Sequence, residues 1–261
     1  MAIGEVIEAA GGTSVPNFHV LMGGVMMARL AASCDEPVTK TTGGLIVLPS
    51  SHFLIGWYRS GWKRIERIAR AACDQCRFCT ELCPRYLLGH PIQPHRAMAA
   101  VGFKGRQGPL IAGTLSCCEC NLCSLYACPE NLDPKSVCVA AKPAAREMKQ
   151  FSTGDVGSVK PHPLNRERRV PMRRLMTKLG LNAFNNVGPL KDRTLIPRRV
   201  VLPLKQHSGP SALPVVKPGD FVHKGDLIAA PANGELGARV HASIEGIIRN
   251  VNGAVTIEGG R

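Results

Sequence analysis

The sequence predicts an α+β multidomain chain in three parts: a small mixed unit, a mostly helical cysteine-rich domain and a C-terminal all-β module. Three observations predict it. Nine of the eleven cysteines fall in two stretches, CDQCRFCTELCP (residues 73–84) and CCECNLCSLYACP (residues 117–129). Ahead of them, helical and strand-like apolar spacings alternate within residues 1–47. After residue 200, short Val, Ile and Leu runs alternate with Gly, Asp and Asn, the pattern of short strands and turns.

In chain order, Ile3, Val6, Ile7 and Ala10 have helical spacing, and Gly11-Gly12 ends that helix. Phe18 to Met22 reads as a strand, Gly23-Gly24 as a tight turn and Gly44 to Leu48 as a second strand. So short a piece exposes strand edges and is expected to lean on a neighbour or a partner chain. Residues 48–72 form a linker with a helix over 58–72, in which Trp62, Ile65, Ile68 and Ala72 make one apolar stripe. Within residues 73–150, one helix starts near Pro94. Another starts after Asp133, an N-cap followed by Pro134 at the first helical position. Residues 151–199 read as a basic connector with room for a short helix from Met172 to Leu181, and residues 200–261 as the β module.

Composition bounds the function. The formal net charge of the 261 residues is +14, and only 5% are aromatic. Basic charge alone admits nucleic acid, a membrane surface or an acidic protein as partner. The low aromatic content and the cysteine pattern make nucleic acid the weakest of these. No basic-then-apolar leader opens the sequence, and no apolar run approaches the ~18 residues of a membrane span. A reducing, cytoplasmic setting is expected, in which eleven cysteines mean metal and not disulfides.

The cysteine spacing names the metal centre. Cys73, Cys76, Cys79 and Cys83 are spaced C-x2-C-x2-C-x3-C and precede Pro84. Cys117, Cys120, Cys123 and Cys128 are spaced C-x2-C-x2-C-x4-C and precede Pro129, a diverged repeat of the first. Two-residue spacers let three thiolates of one tight loop reach three irons of a cubane, and the cysteine before the proline ligates the other cluster. Two 4Fe-4S clusters are therefore expected. One is held by Cys73, Cys76, Cys79 and Cys128, the other by Cys117, Cys120, Cys123 and Cys83. Zinc prefers paired C-x2-4-C ligands in a four-ligand site and does not use this pattern. Cys118 is the spare thiol, because starting the second triplet there leaves one residue before Cys120. Cys34 and Cys138 are also unassigned, and all three are expected to act as small buried hydrophobes. Cys118 could also donate its S–H to a cluster sulfur. With eight thiolates and two oxidised cores, the net charge falls to about +10.

The runs ACDQCRFCTELCPRYLLGHPIQPHRAM and CCECNLCSLYACPENLDPKSVC resemble the cobalamin reductases of propanediol-utilising bacterial microcompartments. They are similar, more distantly, to the C subunits of Rnf electron-transport complexes. IGEVIEAAGG, VPNFHVLMGGVMMARL and PVTKTTGGLIVLP resemble that family's soluble-ligand-binding β-grasp unit, and RRVVLPLKQHSGPSALPVVKPGDFVHKGDLIA with VHASIEGII resembles its barrel-sandwich hybrid. The resemblance implies a ferredoxin-like two-cluster domain that passes single electrons from a flavin or NADH donor to a corrinoid (cobalamin) acceptor. It implies a redox protein, a corrinoid enzyme or a microcompartment shell protein as partner, and the microcompartment lumen as a setting. Family members carry a flavin- and NADH-binding domain ahead of the β-grasp unit. This sequence starts at MAIGEVIEAAGG and has no G-x-G-x-x-G after a strand. The expectation is a separately encoded half or a truncated sequence, with FMN and NADH on a missing domain or a partner. No residue is assigned to catalysis. The alternative is a docking or scaffold protein of a redox complex whose clusters are mainly structural.

Other features point to packing. GDFVHKGDLI (residues 219–228) has the carrier-domain turn, but Lys224 sits off the expected tip and no lysine follows residue 228. His90 and His95 are not needed as ligands, because eight cysteines complete two cubanes. Met22, Met26 and Met27 suit core packing. The basic runs at 63–70 and 166–178 are solvated faces, or else a landing site for an anionic redox partner. No G-x-S-x-G or H-E-x-x-H motif is present.

Overall fold

The computed structural model describes residues 1–60, 72–102, 108–148, 159–184 and 195–259. The chain divides into two compact units, one made of Met1–Ile55 with Pro189–Arg261, the other of Gly56–Gly188. The expected helix over 58–72 lies largely outside the described residues. Among the described residues, helix α2 spans Phe53–Arg59, starting just ahead of that range.

In the first unit, helix α1 (Ile3–Ala9) stops where Gly11 and Gly12 take positive φ, a conformation glycine adopts without a Cβ clash. Strands β1 (Phe18–Met22), β2 (Arg29–Leu30) and β3 (Leu45–Pro49) form an antiparallel sheet in the order β2-β1-β3, with Val20 opposite Val47. Ile3 and Ile7 of α1 pack on Val20 and Met22, and Cys34 fills the edge of this core as a small apolar residue. Met27, by contrast, is exposed.

The same unit contains the C-terminal module. Strands β4 (Arg199–Pro203), β5 (Leu213–Pro214), β6 (Phe221–Val222), β7 (Leu227–Ala230), β8 (Val240–His241), β9 (Gly246–Val251) and β10 (Ala254–Glu258) make two sheets. Their orders are β4-β10-β9-β6 and β5-β7-β8. Neither closes into a barrel among the described residues. In β9, burial alternates from Gly246 through Arg249, so Ile248 points inward while Ile247 and Arg249 face water. Val200, Ile228, Ile248, Val255 and Ile257 form the common core of the two sheets. The Lys40 N–H donates to Gln206 Oε1 at 3.3 Å, so the N-terminal piece does lean on a neighbour, the β module of its own chain.

The second unit is helical. Its described helices are α3 (Phe78–Glu81), α4 (Pro84–Leu87), α5 (Pro94–Gly102), α6 (Gly108–Ile111), α7 (Pro134–Glu147) and α8 (Met172–Lys178). Ala97 and Met98 of α5 pack on Val137 and Cys138 of α7. Asp133 caps α7 by accepting from Ser136 N–H at 3.0 Å, and Pro134 supplies the preset first turn. The segment read as a connector is packed where it is described. His162 N–H donates to the Leu87 carbonyl at 2.9 Å, its ring meets Tyr86, and Arg168 pairs with Glu81. Gly89, at φ +94°, makes this approach feasible, because a Cβ there would overlap the Lys160 carbonyl. Among the described residues, no helix is long and apolar enough to cross a membrane.

Candidate metal centres

The two cysteine stretches fold alike. Gln75 and Arg77 in the first, Glu119 and Asn121 in the second, all take positive φ between 59° and 68°. These are the second and fourth positions after the first cysteine in each loop. Left-handed backbone is costly for residues with a Cβ, so the same pair in both loops marks a required curl. The curl aims N–H groups inward. The Glu119 amide donates to Cys117 Sγ at 3.4 Å, and the Gln75 side-chain amide donates to Cys73 Sγ at 3.2 Å.

The loops differ where the second carries its extra residue. After Cys79 the chain continues through a short α-turn, α3, to Cys83 before Pro84. After Cys123 it makes a π-helical turn, Cys123–Ala127, to Cys128 before Pro129. A one-residue insertion into a helical turn is accommodated as a π-bulge. Cys83 and Cys128 both leave their turns in extended conformation, with ψ of 120° and 117°.

This arrangement sorts the eight thiols into two sets. One cavity is lined by Cys73, Cys76, Cys79 and Cys128, with His95 and Met98 on its wall. A second is lined by Cys83, Cys117, Cys120 and Cys123, with Cys118, Asn121 and Lys135 beside them. Each cavity takes three cysteines from one loop and one from the other. Among the described residues, no three His, Cys, Asp or Glu side chains are set to hold a single metal ion. The thiols stand around a volume instead of converging on a point.

The electrostatics fit a group that brings its own positive charge. Burial pushes the Cys79 thiol up to about 12, and the neighbouring Cys128, Cys73 and Cys76 add to the rise. Cys123, Cys83 and Cys128 are also raised, burial first in each case. Cys120 is pushed up to about 11 by burial and then by Cys118. Cys117 goes the other way, to about 6, because Cys138 hydrogen-bonds to its sulfur. Raised thiols keep their protons until a metal displaces them. Soft sulfur donors in two sets of four, with N–H groups on the sulfurs, suit iron–sulfur clusters. At the second cavity Asn121 is 1% exposed and its Oδ1 lacks a partner, so a turned amide can offer an N–H donor to that cavity.

Several supporting residues carry no spacing signal. Ser124, inside the π-helical turn, donates to Asp133 Oδ1 at 2.6 Å and accepts from Lys135 N–H at 3.0 Å. The cap of α7 thereby anchors the turn between Cys123 and Cys128. His95 hydrogen-bonds through Nδ1 to Thr80 Oγ1 at 2.7 Å, and burial, then Arg77 and Arg96, lower its pKa. His90 is bonded to Arg85 at 3.2 Å. Cys138, read from the sequence as a small hydrophobe, is fully buried and also touches Cys117. The unused Asp-x-x-Ser spacing of Asp133 and Ser136 was the one sequence signal for this network.

Two stretches of the chain match known domain families. Residues 72–133 match the 4Fe-4S dicluster domain family, and residues 188–261 match the RnfC barrel sandwich hybrid domain. Cobalamin reductase PduS of Citrobacter freundii is 39% identical over 253 residues, covering 96% of this chain and 55% of that protein. Over nearly all of its own length the chain is similar to cobalamin reductases. Cobalamin reductase PduS of Salmonella typhimurium is also 39% identical over 253 residues, covering 97% of this chain and 56% of the relative. The chain thus spans about half the length of the curated relatives it matches, and both of its cysteine stretches lie within the part that matches a 4Fe-4S dicluster domain.

Proposed function

We propose that the chain relays single electrons through two 4Fe-4S clusters, one held by Cys73, Cys76, Cys79 and Cys128 and the other by Cys117, Cys120, Cys123 and Cys83. The observation that carries this reading is the crossed sorting of the eight thiols, three from one loop and one from the other around each cavity. When bound, such clusters accept and donate one electron at a time without moving atoms. The chain's own residues hold the sulfurs, exclude water by burying Cys79, Cys83, Cys123 and Cys128, and place N–H donors on them. Donors to sulfur and burial are two means by which a protein sets a cluster's potential.

The donor is proposed to be a flavin or NADH site on another domain or protein, because the resemblance assigns none to these residues. The acceptor is proposed to be a corrinoid, on the name of the matched relatives. A cytoplasmic site, in a microcompartment lumen, is proposed with that acceptor. The three-stranded sheet with α1 would serve as a docking unit and the two-sheet β module as a scaffold.

Anaerobic reconstitution followed by electron paramagnetic resonance tests the reading. About eight irons per chain and, after dithionite, two magnetically interacting reduced signals are expected. Clusters that form but never reduce would leave a structural role and end the relay reading.

A further inference from the structure

The basic run at 166–178 is not uniform. Some cations near the cysteine loops are matched: Arg77 and Arg168 pair with Glu81, and Lys142 pairs with Glu119. Helix α8, sequence MRRLMTK, is different. Arg173, Arg174 and Lys178 are exposed, the helix has no acidic residue, and none of the three pairs with a described carboxylate. The helix packs against the π-helical turn. Between them lies an open groove of about 550 Å³ lined by Tyr126, Arg173, Arg174, Thr177 and Lys178.

Three of the five lining residues are cations and none is an anion. The half-buried Tyr126 supplies an aromatic wall, and Tyr with Arg is the pairing that protein interfaces favour. The position of the groove gives it a use. Its wall is the turn that begins at Cys123, which lines the second cavity, and runs into Cys128, which lines the first. A protein seated there is one turn of backbone from a thiol of each set.

We infer that this groove docks an acidic electron-carrier protein, which exchanges one electron with the metal centres behind the π-helical turn. The inference rests on the two-cluster reading above. The exchange moves one electron and no atom. With a reduced carrier, the carrier is oxidised by one electron and the loaded chain is reduced by one. Unpaired cations beside the exit route raise the encounter rate with an anionic partner and orient it, an effect that salt removes.

The test is stopped-flow reduction of the reconstituted full chain by an acidic flavodoxin in its hydroquinone form, across a range of ionic strength. The combined variant Arg173→Glu, Arg174→Glu, Lys178→Glu is expected to slow the second-order reaction about tenfold or more at low salt. Its rate is also expected to lose the steep fall with salt that the unaltered chain shows. A matched variant, Lys205→Glu, Lys217→Glu, Lys224→Glu, changes net charge equally through exposed lysines of the other unit, and it is expected to stay within about twofold. Arg173→Lys with Arg174→Lys is expected to keep the unaltered rate. Iron content and the paramagnetic signals of every variant are measured alongside. Equal slowing in both triple variants, or none in the first, overturns the docking site while leaving the relay standing. Reduction by dithionite without reduction by the flavodoxin overturns it too. Clusters that no reductant reaches overturn the relay itself, and the docking inference with it.

Discussion

The two cysteine loops are copies of one device with different surroundings. Both use left-handed residues at the same two positions, and both end in an extended cysteine before proline. The first loop is open: Cys76 is exposed, and its α-turn faces a single histidine, His95. The second is enclosed. Cys123 and Ser124 are no more buried than Cys79 and Thr80 of the first loop, but Cys120 is half-buried where Cys76 is exposed, Cys138 lies against Cys117, and the turn is tied to the cap of α7 through Ser124 and Asp133. The difference teaches that the geometry of a two-cluster domain is set by the loops, whereas the environment of each cluster is set by what packs behind them. The two centres are therefore expected to differ in potential although their ligands match.

The largest effect on this comparison is expected from Asp133→Ala. It removes the helix cap and leaves Ser124 and the start of α7 unsatisfied in a buried site. A loss of about 2–4 kcal/mol is expected in chemical denaturation. Because only the second loop carries this tie, the cluster built on Cys117 should become labile first. Equal lability of both would mean the asymmetry is superficial.

Cys138→Ala should act on potential more than on stability. It removes the sulfur that hydrogen-bonds Cys117 while keeping a small apolar side chain in the core. Loss of a donor to a thiolate disfavours the more negative reduced state, so the second cluster's midpoint should fall. A bond worth about 0.5–1.5 kcal/mol corresponds to roughly 20–60 mV for one electron. A redox titration followed by paramagnetic resonance should find the first cluster unmoved.

Deleting Tyr126 should have the smallest effect on cluster content. The deletion restores the three-residue spacing of the first loop, and a π-helical turn that loses one residue relaxes to an α-turn. Both clusters are expected to assemble. Loss of the cluster served by Cys128 would show that the enclosed half has come to depend on its extra residue.

Much of the candidate site was legible because each cysteine loop is a local structure. The C-x2-C-x2-C triplets, the Cys-Pro endings and the Asp133-Pro134 cap all depend on near neighbours, and the strand Phe18–Met22 and helix from Pro94 follow from short apolar periods. What the sequence hid depends on distant contacts. The extra residue before Cys128 had no meaning until it appeared as a π-helical turn. Cys138 looks like any buried cysteine until α7 brings it to Cys117. The basic connector reads as solvated chain because its ties to Leu87 and Glu81 come from residues about eighty positions away. Closure of the C-terminal module was likewise invisible: strand periodicity gives two sheets and a barrel the same signature.

Crossed ligation is the claim on which the relay stands, and paired serine variants test it most directly. In Cys83→Ser, Mössbauer and paramagnetic resonance spectra of the reconstituted chain should show damage to the cluster of Cys117, Cys120 and Cys123, with the cluster of Cys73, Cys76 and Cys79 intact. In Cys128→Ser the pattern should reverse. Damage in each variant confined to the cluster of the mutated cysteine's own loop would contradict the account.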